Sequence, residues 1–209
     1  MKDIVVIGGG GHAKVVISIL RKLKAFHVIG YTDLKDNGTL FEASYLGDDN
    51  ALARLAAGHG LSAAIGVGQV GLGRMRSELY QRGLSLGLSF PSIVSPDAIV
   101  NEEVELGEGT VVMDGVVVNP GAAAGKGVIV NSGSIIEHDV VLGDWVHVAP
   151  GVTISGAVKV GMRSMVGAGA VIIEGRTIAD DCMVGAGAVV IHDLIEPGVY
   201  AGCPARRIR

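Results

Sequence analysis

The chain has 209 residues, a formal net charge of −4 and scattered Lys and Arg residues, so no nucleic-acid partner is predicted. Its 33 glycines and 4% aromatic residues are unusual for a conventional hydrophobic core and favour a fold with many turns. The cysteines, Cys182 and Cys203, are too few for a disulfide framework and favour a cytoplasmic location. Although Ile4–Leu20 is apolar, His12 and Lys14 interrupt it, so we predict neither a signal peptide nor membrane insertion.

Residues 1–90 are predicted to form an α/β domain that is half of a doubly wound, Rossmann-like fold. Strands and helices alternate in the order β-α-β-α-β-α, bounded by loop residues. His27 and His59 are predicted as surface residues of this domain. The predicted strands are Ile4–Ile7, Val28–Tyr31 and Ala63–Val67, and the predicted helices are Ala13–Lys24, Asn50–Ala57 and Gly73–Arg82.

A glycine-rich loop joins the first predicted strand to the first helix. Its sequence Gly-Gly-Gly-Gly-His-Ala, residues 8–13, satisfies G-x-G-x-x-A, and such a loop directs backbone N–H groups and a helix N-terminus at a phosphate. Asp33, just beyond the second strand, is placed to accept a hydrogen bond from a ribose or a base. An NAD site is the alternative that this motif leaves open, although three strands supply only one mononucleotide-binding half.

Residues 91–209 are predicted to form an all-β domain of hexapeptide repeats. From Val94 to Val190 every sixth residue is apolar, a period that fits neither an α-helix nor an isolated strand. Three repeats make one coil, so residues eighteen apart stack, and their side chains fill the interior of a triangular prism. Glycines recur three residues after inward positions, where the chain turns a corner. The period does not determine the handedness of the coil.

Apolar residues between the inward positions predict how the prisms assemble. We expect Val141, Val146, Val152 and Met165 to point outward and to form exposed apolar strips, which mark an interface. A prism with three similar walls can pack around a threefold axis in a closed ring, which would be a homotrimer of about 64 kDa, three times the mass of the 21.3 kDa chain.

A closing sequence and an internal motif carry a resemblance to known families. Residues 200–206, Tyr-Ala-Gly-Cys-Pro-Ala-Arg, are similar to the closing G-x-P-A-[KR] motif of the left-handed β-helix hexapeptide acyltransferase superfamily. Asn131, the triplet Glu137-His138-Asp139 and His147 resemble the pattern of the sialic-acid and bacillosamine acetyltransferase family, over nearly the whole chain. The resemblance implies a left-handed β-helix, acetyl-CoA as cosubstrate, and trimers with coenzyme A in grooves between neighbouring prisms. We expect no metal to be required.

The resemblance implies acetyl transfer from acetyl-CoA to the 4-amino group of a UDP- or GDP-linked 4-amino-4,6-dideoxy sugar. An imidazole that titrates near neutrality suits removal of the amine proton, so His138 is the candidate base. Asp139 or Asn131 fixes the tautomer of that imidazole or contacts the sugar amine, and the resemblance favours Asp139 for the first role. His147 resembles the residue that contacts the thioester region. Glu137 is predicted to point outward, either into solvent or toward the site.

The sugar nucleotide is assigned to the N-terminal domain. This assignment rests on the resemblance, which implies contacts with Gly10, Gly11, His12, Asp33 and Gly66. Where many relatives carry two adjacent acids this chain has an acid followed by leucine, so the choice between uracil and guanine stays open.

Coenzyme A is assigned to the prism. Its pantetheine arm takes hydrogen bonds from backbone groups between coils, which requires small residues there. Ala168 and Ala186, each flanked by two glycines, meet that requirement. Arg206 and Arg207 are the candidate cations for its phosphates. The amine is expected to attack the thioester directly, with a backbone N–H holding the oxyanion.

Three alternative functions share some of these features. A sialic acid O-acetyltransferase has the same family pattern and differs only in its hydroxyl acceptor. A γ-type carbonic anhydrase uses the same prism with three zinc-binding histidines, but His138 and His147 lack a third near neighbour. A noncatalytic scaffold leaves the Glu-His-Asp triplet without a role.

Overall fold

The computed structural model describes residues 1–57 and 60–209, and the predicted surface residue His59 lies outside this range. The described residues form two compact units. The first comprises Met1–Gln69 and Arg74–Pro96, and the second comprises Val70–Gly73 and Asp97–Arg209. Within the described residues, no helix is long and apolar enough to cross a membrane.

The first unit has the alternating order of strands and helices that the sequence predicts. Its three long strands form a parallel sheet in the order β2-β1-β3. The observed bounds differ from the predicted ones by at most three residues, and β3 ends before the glycines at 66 and 68. The elements are β1 (Lys2–Ile7), α1 (Gly11–Leu23), β2 (Phe26–Thr32), α2 (Asp49–Ala56), β3 (Ser62–Ile65), α3 (Met75–Ser85) and a short β4 (Ile93–Val94).

The core of the first unit lies between the central strand and helix α1. Residues 4–7 of β1 are buried, and α1 buries Ala13, Val16, Ile17 and Leu20, which share one face at helical spacing. Since the three strands are parallel, their carboxyl ends share one edge of the sheet. The topology therefore brings the glycine loop, Asp33 and Gly66 to the same edge.

The second unit is a left-handed parallel β-helix, as the resemblance implied. Its strands form three walls, and residues eighteen apart pair in register, for example Ile129 with His147. The first wall contains Val111–Val112, Ile129–Val130, His147–Val148, Met165–Val166, Cys182–Val184, Gly198–Ala201 and Arg206–Arg207. The second contains Ile99–Val100, Val117–Val118, Ile135–Ile136, Thr153–Ile154, Val171–Ile172 and Val189–Val190. The third contains Glu105–Leu106, Ala123–Ala124, Val141–Leu142, Lys159–Val160 and Thr177–Ile178.

The interior of the prism has a second inward position in each repeat, which the sequence analysis missed. Val146 and Val152, predicted to point outward, are fully buried, so this prediction is wrong. Each directly follows a corner residue with positive φ, Trp145 (φ 65°) or Gly151 (φ 67°), which turns the next side chain back into the prism. Of the other predicted outward residues, Val141 is exposed and Met165 is half-buried.

The three walls differ in their outward faces. On the second wall the outward column is mainly apolar, and Ile99, Ile135 and Val171 are exposed. On the third wall the corresponding column includes Glu105 and Lys159, both exposed. The second wall therefore presents a mainly apolar outward column to solvent, whereas the outward column of the third wall includes charged residues.

Candidate active site

A histidine–aspartate pair occupies the corner that follows strand Ile135–Ile136 of the second wall. His138 Nδ1 lies 2.9 Å from Asp139 Oδ2, and both side chains are more than half exposed. Asp139 has φ 59°, the left-handed conformation that glycine adopts at most other corners. The corner therefore holds the two side chains side by side at the surface of the prism.

The environment of His138 favours its protonated form. The hydrogen bond to Asp139 is the largest effect and raises the pKa of His138; desolvation, the next largest, lowers it, and the charges of Asp139, Glu137 and Glu174 raise it further. Because a carboxylate only accepts hydrogen bonds, Nδ1 is the donor in this pair. In the neutral ring, Nε2 is then an acceptor that is available to a substrate proton.

Glu137 is held by a ladder of amides along the second wall. Asn119 Nδ2 donates to Glu137 Oε2 over 2.9 Å, and Asn101 Nδ2 donates to Asn119 Oδ1 over 3.1 Å. The three residues are eighteen apart, so each lies one coil from the next. Sequence reasoning missed Asn101 and Asn119, although the same spacing that defines the coil would have found them.

Asn131 lies beside His147 on the first wall. Its Nδ2 is 3.4 Å from His147 Nε2, and its Oδ1 accepts a hydrogen bond from the backbone N–H of Ser132. His147 is almost fully buried. Of the two residues proposed to orient His138, Asp139 is the one hydrogen-bonded to its ring.

The glycine loop of the first unit leads into helix α1 in a form suited to an anion. Gly10 is the N-cap residue, without a side-chain cap among the described residues, and the first turn carries no acidic residue. A methyl group on Gly10 or Gly11 would meet no atom within 4 Å, so the approach to this helix terminus is open. Exposed N–H groups and the helix dipole stabilise a phosphate in this position.

Asp33 fixes the shape of that loop. Its Oδ2 accepts a hydrogen bond of 2.6 Å from the backbone N–H of Gly9. Gly66 allows close packing, because a methyl group there would lie 2.8 Å from Gly8 O and 2.9 Å from Ala13 Cβ. His12 is half-buried at the start of α1. The predicted sugar-nucleotide residues therefore share one edge of the sheet, with Asp33 and Gly66 supporting the loop.

The predicted coenzyme residues lie on the prism and its C-terminal tail. Ala168 and Ala186 are exposed one coil apart, and Gly187 N–H donates to Ala168 O over 2.9 Å. Arg206 is exposed, and its Nη1 donates to Ala205 O over 3.3 Å. Arg207 is ion-paired with Glu196. This arrangement favours Arg206 over Arg207 as a cation for a ligand phosphate.

Two further features of the structure are a cavity in the first unit and the placement of side chains that could bind a metal ion. A cavity of about 530 Å³ lies at the amino end of β2, lined by Ile17, Arg21, Phe26 and Phe41 among others, whereas the glycine loop follows the carboxyl end of β1. Within the described part of the chain, no group of three His, Cys, Asp or Glu side chains is placed to hold a metal ion.

A β-helix with a histidine–aspartate pair at a corner, in one chain with a glycine-loop α/β unit, defines a class of hexapeptide-repeat acyltransferases. Residues 3–82 match the model of the PglD N-terminal domain family. Over 117 residues the chain is 34% identical to UDP-N-acetylbacillosamine N-acetyltransferase of Bacillus subtilis, covering 54% of this chain and about half (52%) of that protein.

Solved structures match over the whole chain. PerB from Caulobacter crescentus, in complex with CoA and GDP-perosamine, is 36% identical with a TM-score of 0.91, covering 100% of this chain and 98% of that one. The acetyltransferase domain of PglB from Neisseria gonorrhoeae is 31% identical with a TM-score of 0.93, covering 100% of both chains. The chain belongs to the sialic-acid and bacillosamine acetyltransferase family, whose members include N-acetyltransferases of nucleotide-linked amino sugars.

Proposed function

We propose that this protein transfers the acetyl group of acetyl-CoA to the 4-amino group of a UDP- or GDP-linked 4-amino-4,6-dideoxy sugar. The observation that carries the proposal is the His138–Asp139 pair, a neutral-pH base in a family of sugar N-acetyltransferases. Of the relatives named above, the Bacillus subtilis protein is named for a UDP-linked sugar, and PerB was solved with a GDP-linked sugar. The perosamine N-acetyltransferase of Caulobacter crescentus has also been solved as variants in which one histidine is replaced by Asn or Ala.

The proposed reaction is a direct acyl transfer. The amine nitrogen attacks the thioester carbonyl carbon, and its proton passes to Nε2 of His138 while Asp139 stabilises the resulting imidazolium. The tetrahedral intermediate then collapses, the C–S bond breaks, and the coenzyme A sulfur takes the proton from His138. A backbone N–H stabilises the oxyanion of the intermediate. No covalent acyl-enzyme is needed in this sequence.

The acceptor nucleotide is proposed to bind within residues 1–90. The open N-terminus of α1 with Gly10 and Gly11 takes the diphosphate. His12 lies in the first turn of that helix, and Asp33 and Gly66 shape the loop from the same sheet edge. The Asp33 carboxylate, which already accepts the Gly9 N–H, can accept a further hydrogen bond from the base or the ribose.

Acetyl-CoA is proposed to bind within residues 91–209. His147 is assigned to the thioester region, and Asn131, whose Nδ2 lies 3.4 Å from His147 Nε2, is assigned to the sugar amine that reacts there. Ala168 and Ala186 are assigned to the pantetheine arm and Arg206 to a phosphate. A related structure, the PglB acetyltransferase domain, is solved in complex with acetyl coenzyme A.

The protein is proposed to act as a homotrimer in the cytoplasm. The outward column of the second wall provides the apolar surface for threefold packing, and it leads directly into the His138 corner. Ile135→Glu places a charge on this wall and is expected to give monomers by light scattering. Val141→Glu, on the third wall at similar exposure, is the control and should stay trimeric. A monomeric wild-type protein would overturn the assembly.

The function is tested by turnover with a panel of acceptors. Release of the coenzyme A thiol is measured with UDP- and GDP-linked 4-amino sugars and with sialic acid. We expect release with an amino sugar of one nucleotide and little with sialic acid. If sialic acid is the one acceptor that gives release, the acetyl group goes to a hydroxyl group and the proposed amine acceptor is wrong. Thermal shifts with each nucleotide sugar measure binding separately from turnover.

A further inference from the structure

Two glycines flank the His138–Asp139 pair along one edge of the prism. Gly121 precedes Asp139 by eighteen residues, and Gly156 follows His138 by eighteen, so each lies one coil away. The backbones are tied together, because Asp139 N–H donates to Pro120 O and Ala157 N–H donates to His138 O. The spacing between these coils is therefore fixed, and the two side chains share the limited space between neighbouring coils.

Gly156 provides the space that the imidazole ring fills. A methyl group on Gly156 would lie 2.6 Å from both Cε1 and Nε2 of His138, closer than carbon atoms pack. Gly156 is buried, and its φ is outside the left-handed region that requires glycine. The backbone conformation therefore does not explain this glycine, whereas the position of the His138 ring does.

Gly121 provides the corresponding space for the carboxylate. A methyl group on Gly121 would lie 2.8 Å from Asp139 Oδ1, the oxygen that is not bonded to His138. Gly121 has φ 73°, but Ala157, two coils further on at the same corner, adopts φ 56°. The fold thus accepts alanine at this kind of corner, and close contact with Asp139 is what sets Gly121 apart.

We propose that Gly156 and Gly121 are positioning residues for acetyl transfer, which hold the His138 ring on Asp139 and leave Nε2 open to the substrate amine. The proposal rests on the proposed role of His138 as the base. Each glycine acts by the absence of a side chain, so the smallest substitution, alanine, tests it. The two positions act on different members of the pair and can be tested separately.

The first test is Gly156→Ala in the full-length protein. Displacing the ring by a fraction of an ångström is expected to lower kcat about 10- to 100-fold. Weakening the bond to Asp139 should also lower the pKa of His138, which NMR of carbon-labelled histidine measures without substrate. The charges of Glu137 and Glu174 remain in place, so the fall in pKa reports the loss of the Asp139 contact.

The second test compares Gly121→Ala with Gly175→Ala. Gly175 lies at the same corner three coils after Gly121, has φ 68°, and has open space where a methyl group would stand. Both variants carry the same backbone strain, so only Gly121→Ala should lower kcat and the pKa of His138. This pair decides the proposal if Gly156→Ala does not fold. Equal effects of the two variants would overturn it.

Testing Gly156→Ala in a protein that already carries His138→Ala distinguishes a failure of this proposal from a failure of the proposed function. In His138→Ala protein, Gly156→Ala should cause no further loss of kcat, because it acts through the missing ring. The same fractional loss in both backgrounds would overturn the positioning role, as would an unchanged kcat and pKa in Gly156→Ala alone. If His138→Ala is fully active, the proposed base is wrong, while the pKa of His138 in Gly156→Ala still decides whether the glycine positions the ring.

Discussion

The two units hold their candidate site residues in different ways. In the second unit, backbone hydrogen bonds from coils on both sides fix His138 and Asp139. In the first unit, Gly10 and Gly11 of the glycine loop are exposed, and the shape of the loop depends on the hydrogen bond from the backbone N–H of Gly9 to Asp33. Changes at the prism corner are therefore expected to act on kcat. Changes at the loop should act on KM for the nucleotide sugar.

Removal of the proposed base, His138, gives the largest expected effect. His138→Ala should lower kcat by about 10²–10⁴, the usual contribution of a general base, with little change in acetyl-CoA affinity. The control is His192→Ala, since His192 is exposed three coils further along the same edge. Steady-state kinetics of the two variants check the prediction, and His138→Ala activity within threefold of wild type would exclude His138 from the mechanism.

Asp139→Asn should lower kcat by about 10–10², because the amide no longer stabilises the imidazolium. The proposed base acts in its neutral form, so kcat should fall as the pH drops below the pKa of His138. Since Asp139 raises that pKa, its removal lowers the pKa and moves the acidic limb of the pH–rate profile to lower pH. Asp181 also lies at a corner, with φ 55°, and is ion-paired with Arg163. Asp181→Asn is therefore the control that should leave this limb unchanged. A shift to higher pH would contradict the assignment.

Gly10→Val should raise KM for the nucleotide sugar about tenfold and leave KM for acetyl-CoA unchanged. The extended conformation of Gly10 accepts valine, and the new side chain stands where a phosphate approaches the helix terminus. Gly73→Val, another glycine with open space for a methyl group, controls for the added bulk. Equal damage to both substrates would show that the loop acts on the stability of the chain.

Arg206→Ala should have the smallest effect, raising KM for acetyl-CoA about three- to tenfold through loss of one exposed cation near a phosphate. Arg207→Ala is the matched control, because Arg207 is ion-paired with Glu196. Titration with acetyl-CoA by calorimetry compares the two directly. A larger loss of acetyl-CoA affinity in Arg207→Ala would indicate that Arg207, and not Arg206, binds the phosphate.

The six-residue period predicted the coil, the stacking and the corners because identical steps repeat along the prism. It missed Val146 and Val152 as inward residues, since only one of the two inward positions per repeat was considered. The pairing of His138 with Asp139 was favoured by the resemblance and not by the period, and the left-handed corner at Asp139 (φ 59°) is what brings the two side chains together. Contacts between coils, such as Glu137 with Asn119 or Gly156 with His138, depend on how side chains lean along the edge, which periodicity alone does not specify.

The central claim is that the acetyl group is transferred to a sugar amine attached to a nucleotide. NMR of the product formed from acetyl-CoA and a UDP- or GDP-linked 4-amino-4,6-dideoxy sugar tests it most directly. The account predicts an acetamide on C4, formed by wild type and by His192→Ala but at least a hundredfold more slowly by His138→Ala. An acetyl ester on a hydroxyl group, or an acetamide formed equally fast without His138, would contradict it.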